Sequence, residues 1–299
     1  MESSLTHRMM PSSEMIERGR RRLHWNTAFI LLLGVGSYCA LVFAPMRFWL
    51  RVVAAMVLVV AAVATATNVM HVGNHGAFSR NARRSRVAGW SSDLLGASSY
   101  LWRFKHNQLH HGNTNVVGFD TDIDQMPLAR LAPQQPWKPI QRYQHVYMWV
   151  LYGFLTLQWF VMSDFATLVK GQVGGHPLPT KPRARDVALI LLGKAIHLTW
   201  ALVIPMLLHP WWGVLAFYLA ISWSVGFLLA NIFQLAHCVD IAEFFDPAAP
   251  RRGPDFELHQ LRAACAERGV QYKVHPSITA AVRSHYRWLR TMGRDPSVG

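Results

Sequence analysis

The chain has 299 residues, of which 52% are hydrophobic and only 15% are charged. Soluble domains usually carry about a quarter of charged residues, so this composition indicates an integral membrane protein. The formal net charge of +14 would suit nucleic acid, but no base-stacking or groove-reading module accompanies it. The basic stretches flank apolar runs instead, so we expect membrane lipid, and no nucleic acid, as a partner.

Four apolar runs predict four transmembrane helices arranged as two hairpins. Residues 27–43 and 50–69 form the first pair, and residues 187–208 and 211–236 form the second. Each run is about long enough to cross a hydrocarbon core of ~30 Å at about 1.5 Å per residue. Short connectors place the open ends of both hairpins on one side of the membrane. Arginine-rich segments at 18–22, 80–86 and 181–185 lie on that side, which is therefore predicted to be cytoplasmic.

The remaining segments are expected to belong to one membrane domain, residues 27–299, preceded by a cytoplasmic segment, residues 1–26. A fifth apolar run, residues 146–162, is predicted to be an interfacial helix. A fifth crossing would place His71 and His237 on opposite sides of the membrane. Residues 237–299 are predicted to form a cytoplasmic tail, so that both termini are cytoplasmic. Three cysteines, Cys39, Cys238 and Cys265, form no CxxC pair, which suits a reducing compartment.

Two polar residues, Lys194 and His197, fall inside the third apolar run. A charged group in the middle of a membrane helix costs about 2.5–3.5 kcal/mol on insertion scales, so it should face the bundle or a cavity. One interpretation is that both residues line a substrate tunnel. The other is a lysine that extends towards the membrane surface and a histidine satisfied by a hydrogen bond.

Six histidines stand near the ends of the predicted spans that share one membrane face. His71 and His75 follow the second span at a spacing of four residues, which places both rings on one face of a helix. The stretch "WRFKHNQLHHGNTN" repeats that spacing and adds an adjacent ring, with His106, His110 and His111, and His237 ends the fourth span. Imidazole suits iron, zinc or copper, so the cluster predicts a metal site. The alternative is a set of loop histidines without a ligand role.

Two other metal motifs fail on their own spacing. The acidic stretch "FDTDIDQ" begins like a calcium-binding loop, but Gln125 stands where the turn glycine belongs and Leu131 where the last carboxylate is needed. The zinc-peptidase motif HExxH is absent at the first pair because Val72 follows His71. A calcium site and a peptidase are therefore excluded.

These residues resemble the integral-membrane fatty acid desaturases, especially the bacterial acyl-lipid and acyl-CoA type. "HVGNHGAFS" is similar to the first histidine box of that family, "WRFKHNQLHHGNTN" to the second, and "FQLAHCV" to a segment with an additional ligand. The resemblance implies an all-α membrane fold with four transmembrane helices and a cytoplasmic helical cap that carries a histidine-rich di-iron site. It also implies O2-dependent introduction of a double bond into a fatty acyl chain. The implied ligands of the two non-haem irons are His71, His75, His106, His110, His111 and His237.

The resemblance also implies partners. The acyl chain would be carried by a lipid, by CoA or by acyl carrier protein. Electrons would come from a separate ferredoxin-like or haem protein, because "GGHP" at 174–177 reverses the HPGG motif of a fused haem domain.

The sequence departs from the family pattern at two places. Val72 stands where the family usually has Asp after the first histidine, which removes a possible outer partner of a ligand ring. The third histidine box, QxxHH, is missing: only the isolated His259, His275 and His285 follow His237. We infer an internal deletion of several dozen residues, with His259 as a candidate substitute ligand. The alternatives are an inactive desaturase-derived membrane protein or a related di-iron fatty acyl hydroxylase.

Overall fold

The structure is a computed structural model that describes residues 12–240, 242–244 and 275–294. Its four longest helices are each long and apolar enough to cross a membrane: Ser13–Phe43, Phe48–Asn74, Ala184–Leu208 and Trp211–His237. We call them the first to fourth spans. Strand structure in the described ranges is limited to one antiparallel pair, Gln172–Val173 with His176–Pro177. The predicted all-α membrane fold is confirmed, and each span extends beyond the predicted run at one or both ends.

The spans form two hairpins whose short connectors lie at the same end of the bundle. The first span ends at Phe43, two residues before Pro45, and the third ends at Leu208, two residues before Pro210. Both ends fit the rule that the residue before a proline leaves the helical conformation. Nε2 of His209 in the second connector lies 2.7 Å from the carbonyl oxygen of Val42, which ties the second connector to the last turn of the first span. The open ends of both hairpins therefore meet at the opposite end of the bundle, as predicted.

The first span begins at Ser13, so it is continuous across the predicted boundary between residues 26 and 27. The Ser12 hydroxyl starts this helix by accepting a hydrogen bond from the Met15 amide at 3.2 Å. That domain boundary, and the cytoplasmic orientation of the open ends, stay predictions. Residues 245–274, which include His259 and Cys265, lie outside the described part of the chain.

Short elements between the second and third spans, together with the last helix, form a cap over the open ends. The cap elements before residue 184 are the helices Ala82–Gly89, Ser91–Leu94 and Ser99–Arg103, the π-helix Phe104–His110, the 3-10 turn Pro139–Tyr143, the helices Gln144–Tyr152 and Leu155–Gln158, the π-turn Trp159–Ser163 and the helix Asp164–Lys170. The last helix, Ile278–Arg294, packs against Pro139–Tyr152. There the buried Gln144 amide donates to the carbonyl oxygens of Leu289, at 2.8 Å, and of Arg130, at 2.9 Å.

Residues 146–162 do not form one helix, so the prediction of a single interfacial helix is wrong about its continuity. The segment belongs to two helices, Pro139–Tyr152 and Leu155–Lys170, which meet at an angle of 73°. The bend falls at Gly153, where the fourth span approaches closely. A Cβ atom at Gly153 would overlap the indole of Trp223, and a Cβ atom at Gly226 would lie 2.5 Å from the Gly153 carbonyl oxygen. Two glycines thus permit the contact that fixes the bend.

This contact gives a stability prediction for the fold. Gly226→Ala should lower the melting temperature of the detergent-purified protein, because the new methyl group cannot fit against the Gly153 backbone. We expect a cost of about 1–3 kcal/mol, the usual range for overpacking. Gly213→Ala, on the same helix, is the matched control, since its Cβ would meet nothing within 4 Å. An equal melting temperature for the two variants would show that the close approach is not required.

Candidate metal centre

The first histidine pair is placed by the second span. A π-helical stretch, Thr65–Met70, precedes the last helical turn, His71–Asn74. The amide of His75 donates to the carbonyl oxygen of His71 at 3.0 Å, and the two ring centroids lie 4.7 Å apart. The second span therefore delivers both imidazoles from one helical face at the open end of the bundle.

The second histidine group is placed by a π-helix, which changes the expected pairing. Ser98 caps the preceding helix, and the chain then winds as a π-helix over Phe104–His110. The amide of His111 donates to the carbonyl oxygen of His106 at 2.9 Å, a bond that spans five residues. The Nε2 atoms of these two rings consequently lie 2.9 Å apart. The α-helical spacing had paired His106 with His110 instead.

Four of the rings converge on one point. His71, His75, His106 and His111 each offer a ring nitrogen, and these four atoms lie within 4.8 Å of one another. The Nε2 atom of His106 lies 3.2 Å from that of His71 as well as 2.9 Å from that of His111. One nitrogen carries either a proton or a lone pair, so His106 cannot both donate to one neighbour and accept from the other. A cation that accepts all the lone pairs satisfies this arrangement, and the donor set suits a borderline metal.

The protonation of His106 agrees with a ligand role. Burial lowers the pKa of His106 to about 2, and the nearby rings of His111, His110 and His71 add to this effect. A neutral imidazole keeps the lone pair that a metal needs. The Trp102 indole stacks on the His106 ring with centroids 4.1 Å apart, which restricts the orientation of the ring.

His110 turns away from the four-nitrogen group towards two carboxylates. Its Nδ1 atom lies 3.0 Å from Asp120 Oδ1 and 3.6 Å from Asp122 Oδ2. Burial would lower the pKa of His110, but the hydrogen bond and charge of Asp120, together with Asp122, outweigh it and raise the pKa. Burial likewise would raise the pKa of Asp122, but the charges of Lys105, 2.9 Å away, and of His110 lower it. Asp122 also forms a second potential ligand group with His106 and His110.

His237 completes the set at the end of the fourth span. Its ring centroid lies 4.5 Å from that of His110. The backbone here is held by Asn115, whose side-chain amide donates to the carbonyl oxygens of His237, at 3.4 Å, and of Glu243, at 3.1 Å. The next residue, Cys238, has its carbonyl oxygen bonded to the ring of the buried His285. The structure thus brings all six predicted histidines together, although their role as iron ligands stays a prediction.

Sequence reasoning missed several residues of the site. The spacing of Asp120 and Asp122 suggests only a failed calcium loop, yet both carboxylates face His110, and Asp122 could complete a ligand group. Asp120 is itself fixed by the amides of Asn115 and Asp122, both at 2.9 Å. His285 had been considered isolated, but it connects the last helix to the end of the fourth span. The sequence does contain a signal for the acidic pair. Asp120 and Asp122 follow His110 by ten and twelve residues, and His110 has His111 beside it.

An apolar cavity of about 740 Å³ lies between the two hairpins. Met70, which directly precedes His71, lines it, and so does His197. The His197 ring lies 3.2 Å from the Tyr218 hydroxyl and 3.0 Å from the Leu94 carbonyl oxygen. The interpretation of a hydrogen-bonded histidine is confirmed. The ring also lines a cavity, whose use as a substrate tunnel stays a prediction.

Lys194 fits neither sequence interpretation. It is absent from the lining of the apolar cavity. Its ammonium group lies 2.6 Å from the Asp164 carboxylate, with 7% of the lysine side chain exposed. It also donates to the carbonyl oxygen of Gly96 at 2.7 Å. The lysine is a buried partner of an aspartate thirty residues earlier, which a local pattern does not reveal.

The fold and the site together define a class: a membrane protein with four spans, a histidine cluster at one end that could hold a metal, and an apolar cavity between its hairpins. The sequence matches the family profile described as "Fatty acid desaturase" over residues 47–292. The chain therefore belongs to the fatty acid desaturase family. No solved structure matches the chain.

Named relatives agree with that family. The chain is 29% identical to the sn-1 linoleoyl-lipid 6-desaturase of Synechocystis sp. over 327 residues, which cover 94% of this chain and 91% of the relative. It is 29% identical to the protein of the same name from Arthrospira platensis over 320 residues, which cover 92% of this chain and 86% of that relative. It is 34% identical to the acyl-lipid (8-3)-desaturase of Physcomitrium patens over 184 residues, which cover 60% of this chain and 38% of that relative.

The first alignment also bears on the missing histidine box. Since 94% of 299 residues is about 281, some 46 of its 327 aligned positions have no residue in this chain. This number of unmatched positions, summed over the whole alignment, is of the same order as the inferred internal deletion of several dozen residues.

Proposed function

We propose that this protein introduces a double bond into a fatty acyl chain of a lipid, with two non-haem irons and O2. The observation that carries the proposal is the position of the four converging imidazoles beside the apolar cavity, with His71 directly after a residue that lines it. The relatives named linoleoyl-lipid desaturases support a lipid-linked acyl chain as substrate. Acyl-CoA and acyl carrier protein stay alternative carriers.

Iron would be held first by the four-nitrogen group, His71, His75, His106 and His111. The second position would use His110 and Asp122, which form a ligand group with His106, together with the neighbouring His237. Bound iron would supply the redox chemistry that activates O2, which an unactivated methylene requires because it has neither an acidic proton nor an electrophilic carbon. The residues of the protein would orient the ligand rings and position the acyl chain.

The protein orients the ligand rings and excludes water from the acyl chain. Asp120 accepts a hydrogen bond from Nδ1 of His110, which leaves Nε2 of that ring for a metal. The stacked Trp102 restricts the plane of the His106 ring. The cavity has an almost entirely apolar lining, so an extended acyl chain would displace water and lie next to the histidines.

We further propose that the cap, the metal site and both termini are cytoplasmic, because the basic segments lie at the open end of the bundle. A single membrane domain from residue 27 onwards would then receive electrons from a separate ferredoxin-like or haem protein on that face. The basic surface favours an acidic donor. The absent third histidine box favours a second candidate, a desaturase-derived membrane protein that has lost its activity.

The first test is the iron content of protein purified in detergent, measured by elemental mass spectrometry. We expect nearly two irons per chain in the unaltered protein and a loss of both in the His71→Ala, His110→Ala double variant. Lipid products formed with a reconstituted electron donor would then be analysed by mass spectrometry. A loss of two hydrogens supports desaturation, whereas a gain of one oxygen indicates the hydroxylase. Iron no higher than in the double variant would contradict the proposal and favour the inactive protein.

A further inference from the structure

The fourth span ends at a predicted ligand, and side chains from two distant segments hold that end. His237 is the last residue of the helix Trp211–His237, and its ring lies beside that of His110. The last carbonyl groups of a helix have no partner within the helix, so their hydrogen bonds must come from elsewhere. The carbonyl oxygens of His237 and Cys238 are bonded to the side chains of Asn115 and His285, respectively.

Asn115 holds the first of these carbonyl groups. Its side-chain amide donates to the carbonyl oxygen of His237 at 3.4 Å, and its backbone φ angle is 57°. Asparagine adopts this left-handed conformation more readily than most residues with a side chain. The backbone amide of Asn115 donates to Asp120, the same carboxylate that lies 3.0 Å from His110. The backbone of His237 is thus linked to the partner of His110.

His285 holds the second carbonyl group with a defined tautomer. Its side chain is fully buried, and burial lowers the pKa of His285, so the ring is neutral. A carbonyl oxygen only accepts, so Nδ1 of His285 donates to Cys238. Nε2 therefore keeps its lone pair, and the Tyr152 hydroxyl, 2.8 Å away, donates to it. Both ring nitrogens are used, which fixes the direction of the bond to Cys238.

The neighbouring residues of the last helix fix the same stretch of chain. The amide of Asp240 donates to the Ser284 hydroxyl at 2.9 Å, and the Arg287 guanidinium lies 2.7 Å from the Asp240 carboxylate. Ser284 and Cys238 are fully buried. The last helix therefore fastens residues 238 and 240 through the consecutive residues Ser284 and His285, immediately after the ring that His237 presents to the site.

We propose that His285 is a positioning residue for the second metal position. It holds the Cys238 carbonyl group, and with it the helix end from which the His237 ring reaches the side of His110. His285 acts through the backbone and touches neither metal nor substrate. This inference rests on the proposed function, because it takes His237 to be a ligand. It gives the last helix a role in metal binding, through Tyr152, His285 and Cys238.

The test is cobalt binding by the full-length, iron-free protein in detergent, purified without a histidine tag. Co²⁺ would be titrated and followed by the visible absorption of the bound ion, with equilibrium dialysis to count it. We expect two equivalents in the unaltered protein. Loss of an outer partner of a ligand typically costs 10–100-fold in metal affinity, and His285 acts one step further away. His285→Leu should therefore weaken the second equivalent about tenfold and leave the first unchanged.

Two further variants separate positioning from stability. His285→Asn should restore the second equivalent, because the asparagine amide can replace Nδ1 as the donor to the Cys238 carbonyl group. Leu289→Ala removes a fully buried side chain one turn further along the same helix, so it should lower the melting temperature. It should nevertheless keep both cobalt ions, since it leaves the bonds of His285 in place.

Unchanged affinity for the second cobalt in His285→Leu would overturn the proposal. An equal loss in Leu289→Ala would also overturn it, because general destabilisation would then explain the effect, and so would a single cobalt site in the unaltered protein. The titration needs neither O2 nor an electron donor. Two cobalt ions that respond to His285 as expected, in a protein that leaves lipids unchanged when loaded with iron, would contradict the proposed reaction and support this role of His285.

Discussion

His106→Ala should abolish iron binding, the largest single-residue effect expected at the metal centre. His106 is the one histidine common to both potential ligand groups in the described part of the chain. Its Nε2 atom contacts those of His71 and His111 at 3.2 and 2.9 Å. Loss of an outer partner of a ligand typically costs 10–100-fold in metal affinity, and loss of a shared ligand should cost more than about 100-fold. Iron per chain, measured by elemental mass spectrometry, checks this.

Two comparisons make the result specific. His237→Ala should remove at most one of the two irons, because His237 lies beside His110 and outside the four-nitrogen group. His24→Ala should keep both irons, since that exposed ring bonds only to the Phe78 carbonyl oxygen among the described contacts. If His106→Ala kept one iron and His237→Ala lost both, the proposed division between the two groups would be wrong.

The sequence was sufficient for the parts of the structure that depend on composition and local spacing. Apolar length predicted the four spans, and the short connectors between paired runs predicted the two hairpins. The hairpin geometry then brought histidines from distant segments to one end of the bundle. This step needed only the direction of each helix, not the details of side-chain packing.

The finer arrangement of the site depends on contacts that local spacing does not contain. A π-helix over Phe104–His110 adds one residue to a turn, so His111 meets His106 and His110 meets Asp120. Such a turn is stabilised by its tertiary surroundings, and a four-residue periodicity does not reveal it. The bend at Gly153 has the same kind of origin, because it depends on Gly226 and Trp223 in a helix seventy residues later.

Lys194→Met should cause the largest loss of stability in the membrane region. Lys194 and Asp164 are a buried pair at 2.6 Å, with 7% and 11% of their side chains exposed. Removal of one partner of a buried pair leaves an uncompensated charge and usually lowers the free energy of unfolding by about 3–5 kcal/mol. Each kcal/mol lowers the melting temperature by about 2–4 °C. We expect the melting temperature in detergent to fall by roughly 6–20 °C.

The double variant Lys194→Met, Asp164→Leu separates the lost pair from the stranded charge. It should recover part of the stability, because no charge then remains buried, whereas the Ser98 amide still loses its 3.0 Å bond to Asp164. Lys170→Met, an exposed lysine on the same helix as Asp164, should leave the melting temperature nearly unchanged. If Lys194→Met melted like Lys170→Met, the buried pair would contribute little to the stability of the protein.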